Sequence, residues 1–188
     1  LFNSLTGLRQ KTGNFPGVTM EKLTGAWEVE PKKEVEILDL PGIYSIYPKS
    51  IDEELVINIL GNPGHEDYPD MAIVVADASN LKRNLLLFSQ VRDLGIPTVL
   101  ALNMIDVAEN EGYVINSIKL ARELNVEVAE INAKKGIGLN GLKLAVNKTL
   151  ANRYASNDAL PLPVADAMIE DIQSQFGEAE PYRCLLWL

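Results

Sequence analysis

Cysteine and histidine are almost missing from this chain: Cys184 and His65 are the single representatives of their kinds among 188 residues. One cysteine cannot close an intramolecular disulfide, so a reducing compartment is the simpler reading. One histidine without a partner cluster is poor support for a metal centre. His65 therefore reads as a surface loop residue, and Cys184 as a small apolar packing residue. Positive charge is also scarce. Lys and Arg number 17 against 26 Asp and Glu, a formal net charge of -9, which argues against a surface that grips nucleic acid or anionic lipid through net charge. No run approaches the roughly 18 apolar residues of a membrane span, and no signal peptide is visible. Internal repeats and low-complexity segments are lacking too. There is no initial methionine, and "LFNSLTG" reads as the inside of an amphipathic helix.

What is present is a globular composition, 47% hydrophobic, long enough for one α/β domain with a small appendage. Four apolar runs, Val35 to Leu40, Met71 to Ala76, Thr98 to Leu102 and Val126 to Ile131, each end in a polar or Gly-containing loop. Helical spacing lies between and after them. Leu81, Leu85, Phe88 and Val91 form one set, Ile118, Ala121 and Leu124 a second, and Leu139, Leu142, Val146 and Leu150 a third. Continuous apolar strands alternating with amphipathic helices predict a mostly parallel, doubly wound α/β sheet with flanking helices. A less apolar strand around Ala26 to Glu30 is expected to make an edge hairpin with the next, turning at "EPKKE". Trp27 and Trp187 read as packing residues. After Arg153 the linker "YASNDALPLPVAD" and the short helix "AMIEDIQSQFG" predict a boundary, with the sheet domain at 1–153 and a helical appendage at 154–188.

In an open α/β sheet, ligands bind outside the carboxyl ends of the strands. The loops there read DLPG (Asp39, Leu40, Pro41, Gly42), DASN (Asp77 to Asn80), NMID (Asn103, Met104, Ile105, Asp106) and NAKKG (from Asn132, Ala133 and Lys134 to Gly136). In DLPG a carboxylate can hold a water of a Mg²⁺ shell, and a glycine N–H can approach a terminal phosphate closely. Taken alone, the same four residues are a plain turn. In NMID, one carboxylate can accept both of guanine's adjacent N–H donors, a pair that adenine does not offer. The bland alternative is an Asx cap on the following helix. NAKKG would offer the Ala133 backbone N–H to guanine O6, with Lys134 along the base. A polar Lys-bearing loop on any surface would look the same. Order and context raise the set above its members: DxxG, then NxxD, then xAK, each directly after a buried strand. "GNPGH", Gly61 to His65, imitates the start of a phosphate loop, but no Lys-Ser/Thr follows, so it reads as a loop before the Met71 strand.

These residues look like the guanine-nucleotide motifs of P-loop GTPases. Together with "GNFPGVTMEK", "ILDLPGIYSI", "VVADASNLKRNL" and "VLALNMIDVAE", they resemble the bacterial ferrous iron transporter family FeoB, over Leu1 to about residue 150. The resemblance implies a cytosolic GTPase domain that binds GTP and GDP with Mg²⁺, and a monovalent cation such as K⁺. It implies a first switch at Gly17, Val18, Thr19, Met20 and Glu21, with the Thr19 hydroxyl completing the Mg²⁺ shell. Without the resemblance, Thr19 is a β-former entering a strand. Asp39, through water, and Gly42 take second-switch roles, followed by a mobile stretch to about Asp52. Asn103 and Asp106 select guanine, and Asn132, Ala133 and Lys134 close over it. Implied partners are the transporter's membrane and helical domains and small accessory proteins of iron uptake, at the cytoplasmic face of the bacterial inner membrane. No nucleic acid is implied.

Three departures stand out. Met104 replaces the Lys common in GTPases, which predicts modest affinity. Asn132 stands where Ser is usual. Ile43 replaces the Gln that orients the attacking water in Ras-like enzymes, which predicts slow hydrolysis. The competing readings are a nucleotide-binding regulatory module with negligible turnover and a ribosome- or RNA-associated GTPase, the latter disfavoured by the acidic charge. In this family "LFNSLTG" continues the helix that opens with the phosphate loop. The expectation is therefore a strand and a GxxxxGK[ST] turn upstream of Leu1, without which the downstream motifs would bind GTP poorly.

Overall fold

The computed structural model describes residues 1–9, 23–45 and 50–152. The first-switch residues Gly17, Val18, Thr19, Met20 and Glu21, and the whole of the expected appendage with Cys184 and Trp187, lie outside the described residues. In chain order the elements are α1 (Phe2–Thr6), β1 (Leu23–Glu30), β2 (Lys33–Asp39), α2 (Ile51–Gly61), β3 (Ala72–Asp77), α3 (Leu81–Asp93), β4 (Thr98–Asn103), α4 (Ile105–Asn110), α5 (Ser117–Leu124), β5 (Val128–Ile131) and α6 (Leu139–Ala151). A single 3-10 turn, Ala78–Asn80, joins β3 to α3.

The sheet comes in two pieces. β3, β4 and β5 form a parallel three-stranded sheet with β4 central. β1 and β2 form a separate antiparallel hairpin, in register from Leu23 opposite Asp39 to Glu30 opposite Lys33. Both the α/β character and the hairpin follow the sequence pattern, but a single continuous sheet does not form among the described residues.

Alternation along β4 explains why its run is apolar without a break. Leu100 and Leu102 enter one core with Val74, Ala76, Phe88, Val91 and the α2 residues Val56, Ile59 and Leu60. Val99 and Ala101 enter the other, with Trp27, Ala129, Ile131, Leu142 and Val146. A strand buried on both faces has no polar side to show, and burying each of these larger side chains is worth roughly 1.5–3 kcal/mol. Parallel strands need helical crossovers. α3 supplies the one between β3 and β4 through Phe88 and Val91, and Leu81 and Leu85 pack against the same core.

α2 departs from the expectation of a mobile stretch to about Asp52, since Ile51 and Asp52 are its first residues. The helix starts at Ser50, whose Oγ accepts from the Glu53 N–H at 3.3 Å, and Asp52, Glu53 and Glu54 line its first turn. A serine with a glutamate three residues on is a capping-box pattern, and acidic residues there complement the helix dipole. The same helix takes in Gly61, so of "GNPGH" only Asn62 to His65 form the expected loop. Within it His65 is half-buried and its Nδ1 accepts from the Asp67 N–H at 3.0 Å. Among the described residues no helix is long and apolar enough to cross a membrane.

Candidate nucleotide-binding site

Parallel packing of β4 on β5 brings the loops that follow them side by side. β4 ends at Asn103, and Met104 then turns the chain with a left-handed backbone (φ 63°), so that α4 starts at Ile105 with Asp106 in its first turn. β5 ends at Ile131. Asn132 then closes a tight loop by pairing both ways with Ile137, donating to its carbonyl at 2.9 Å and accepting from its N–H at 3.1 Å.

Two side-chain bonds couple the loops. The Ala133 N–H donates to Asn103 Oδ1 at 3.0 Å, and Asn132 Nδ2 donates to Asp106 Oδ2 at 3.0 Å. Asn132 is itself fixed, because its Oδ1 accepts from the Lys135 N–H at 3.0 Å. The asparagine that stands where serine is usual thus braces the Asp106 carboxylate. The Ala133 donor expected to meet guanine O6 goes to Asn103 in this structure, so any base contact there shares or displaces that bond. Lys134 is exposed and makes no hydrogen bond or ion pair among the described residues.

Two contributors escaped sequence reasoning. Lys135 Nζ donates to Asp106 Oδ2 at 2.9 Å, an ion pair between loops 29 residues apart. That bond is the main reason the Asp106 carboxyl sits below the usual carboxylate range; partial desolvation opposes it, while the Lys135 charge and the N–H groups of Asp106 and Val107 reinforce it. A lysine one step beyond the xAK pattern carries no signal of its own. Ser4 is the second: its Oγ donates to the Ala133 carbonyl at 2.7 Å and ties α1 to the same loop.

The DLPG loop stands at the end of β2. Asp39 is exposed in area, yet the surrounding protein removes enough water from its carboxyl to raise its pKa. Leu40 packs against the first core, Pro41 is buried and Gly42 is exposed. An added Cβ at Gly42 would meet nothing within 4 Å. Protein packing therefore does not demand glycine there, and the open space suits the close approach of a ligand. Ile43 packs on the core, and the Arg83 guanidinium lies 3.6 Å from the ring centroid of Tyr44. Among the described residues no hydrogen bond joins Asp39–Gly42 to the loops that follow β4 and β5. In the DASN loop, Asp77 Oδ1 accepts from the Ser79 N–H at 2.9 Å and from Ser79 Oγ at 2.8 Å, a helix-starting cap.

A concavity of about 420 Å³ is lined by Ser4, Leu5, Trp27, Glu28, Leu139 and Lys143 among others. Of the four strand-end loops, only NAKKG reaches it, through Gly136. Trp27 is buried there, with Lys143 Nζ 5.9 Å from its ring, as a packing residue.

Comparison with known proteins adds the family. The family model described as ferrous iron transport protein B matches residues 1–146. The Fe(2+) transporter FeoB of Salmonella typhimurium is 38% identical over 187 aligned residues, covering 93% of this chain and 23% of that protein. That of Leptospira biflexa is 40% identical over 148 residues, covering 79% and 21%. The chain thus spans less than a quarter of the length of these relatives. Among solved structures, the cytosolic domain of L. pneumophila FeoB has a TM-score of 0.77 at 36% identity, covering 98% of this chain and 72% of that one. The T. maritima cytosolic domain in apo form gives 0.78 at 28%, covering 100% and 74%. A mutant S. thermophilus NFeoB bound to GDP gives 0.76 at 35%, covering 97% and 70%.

Proposed function

The chain belongs to the FeoB family of ferrous iron transport proteins, and from that premise we propose that it binds GTP and GDP at the loops closing β4 and β5 and hydrolyses GTP slowly. The observation that carries this is the cross-bonded pair of loops, Asn103 to Ala133 and Asn132 to Asp106, which holds one carboxylate at the strand ends where a base with two adjacent N–H donors would meet it. The S. thermophilus relative bound to GDP supports the ligand class.

Mg²⁺ fits the residues present. It keeps most of its waters and takes one or two carboxylates plus phosphate oxygens, so a single exposed carboxylate at a strand end suffices. Asp39 would hold it through water and Thr19, outside the described residues, would complete the shell. Bound Mg²⁺ supplies charge neutralisation at the phosphates. Gly42 leaves room for a phosphate beside its N–H. A phosphate loop before α1, and a monovalent cation such as K⁺ beside the phosphates, complete the proposed site.

For the whole protein, the reading is that nucleotide state is passed from the switches to a helical domain at 154–188 and on to a membrane part, at the cytoplasmic face of the bacterial membrane, with Fe(II) as cargo. Small accessory proteins of iron uptake are proposed partners. Among the described residues no group of three or more His, Cys, Asp or Glu forms a metal cluster, so the iron path is assigned elsewhere.

One observation favours a second reading, a regulatory module with negligible turnover: Ile43 follows Gly42 and packs on the core, supplying no polar group to orient water. Steady-state phosphate release with GTP and Mg²⁺, from protein that carries the residues upstream of Leu1, separates the two. Slow release above a buffer blank is expected, and release equal to the blank would leave only the regulatory module.

A further inference from the structure

One oxygen of the Asp106 carboxylate is already fully engaged by the protein. Its Oδ2 accepts from Asn132 Nδ2 at 3.0 Å and from Lys135 Nζ at 2.9 Å. A carboxylate offers about four acceptor positions, two on each oxygen, so both of those on Oδ2 are taken.

These donors differ in how firmly they are held. The Asn132 amide is braced by the Lys135 N–H on its Oδ1 and by the two backbone bonds with Ile137. Lys135 alone reaches across on a four-carbon stem, with its side chain 59% exposed, so it is the donor that can be exchanged for one from solution.

Guanine and hypoxanthine share the N1–H donor and differ in the 2-amino group. Guanine's paired donors meet the two carboxylate oxygens one each and so need a position on Oδ2, whereas the single donor of hypoxanthine is satisfied at Oδ1. We propose that Lys135 is a specificity-determining residue of this site: its ammonium occupies one of the positions on Asp106 that guanine's paired donors use. The protein therefore separates guanine from hypoxanthine nucleotides less sharply than its carboxylate alone would allow. The proposal rests on the reading that Asp106 meets the purine edge. Because guanine must displace Lys135 and hypoxanthine need not, removing the ammonium favours the two bases unequally. A role in merely holding the loop together would instead move both in the same direction.

The test is competition of GDP and inosine diphosphate against a fluorescent GDP analogue, in the wild type and in Lys135→Met, Lys135→Arg and Asp106→Asn. The ion pair is exposed and correspondingly weak, so Lys135→Met should tighten GDP by up to about fivefold with inosine diphosphate nearly unchanged. Lys135→Arg, which keeps a donor on the carboxylate, should keep the low GDP to inosine diphosphate ratio of the wild type. Equal ratios in wild type and Lys135→Met, or a parallel loss of both nucleotides, would overturn the proposal. Asp106→Asn separates this from the underlying reading. If that variant loses GDP while Lys135→Met leaves the ratio unmoved, only the role of Lys135 fails. If Asp106→Asn binds GDP as the wild type does, the assignment of Asp106 fails and the role of Lys135 with it.

Discussion

Replacing Gly138 with alanine should be among the most damaging single-methyl additions in the molecule, and the reason is local. Gly138 caps the N-terminus of α6 with φ 81° and closes the loop that carries Asn132 and Ala133. A Cβ there would overlap the Glu130 carbonyl oxygen and lie 3.0 Å from both the Glu130 carbonyl carbon and the Ile131 Cα, all backbone atoms of β5. A flexible side chain could swing aside, but the backbone of a strand hydrogen-bonded to β4 cannot. The left-handed backbone alone costs an alanine about 1–2 kcal/mol, and forcing packed backbone apart costs about 1–3 kcal/mol more. The expected loss is therefore about 2–5 kcal/mol, out of a total of about 5–15 kcal/mol typical of a domain. Gly136→Ala is the matched control. It too has a positive φ, 69°, but a Cβ there meets nothing within 4 Å, so it should lose only the conformational part, about 1–2 kcal/mol. Urea unfolding followed by circular dichroism measures both. If Gly138→Ala proves no less stable than Gly136→Ala, the close approach of α6 to β5 is wrong, and with it the placement of the 132–138 loop.

Asp39→Asn should raise the melting temperature near neutral pH. Burial lifts the Asp39 pKa above its ordinary 3.8, so the folded state binds the proton more tightly, and stability is lost as pH rises through the raised value. The gain should vanish at about pH 3, where both states are protonated; a gain independent of pH would refute the assignment. Ser50→Ala should cost about 1 kcal/mol by removing the cap on α2. Hydrogen exchange at the Glu53 amide should speed up, and an unchanged rate would mean the capping bond is not formed.

The parts of the fold legible in the sequence are those where one physical demand dominates. β4 is buried on both faces and so has an unbroken apolar run, and α3 buries one stripe and so shows a three- and four-residue repeat. The β1–β2 hairpin announced itself through its break at Pro31 and Lys32. α2 was missed because its start signal, Ser50 to Glu53, is a cap and not a periodicity, and it follows a segment assigned to a mobile switch. α4, six residues long, is too short to show a repeat. The division of the sheet depends on which strands pair at a distance, which no local pattern encodes. At the site, Asn103, Asp106, Asn132 and Ala133 were legible because the loops after buried strands are where ligands bind in such sheets. Lys135 and Ser4 were not, because each acts through a partner on a distant segment.

The central claim is that the Asp106 carboxylate reads guanine, and the most direct measurement is the affinity of wild type and Asp106→Asn for GDP and xanthosine diphosphate, side by side. An amide cannot accept both N–H donors of guanine, and losing a hydrogen bond to a charged acceptor costs about 1.5–3 kcal/mol. The variant should therefore bind GDP at least roughly tenfold more weakly, while xanthosine diphosphate, with an acceptor where guanine has its amine, binds it better than it binds the wild type. GDP affinity unchanged in Asp106→Asn would contradict the account.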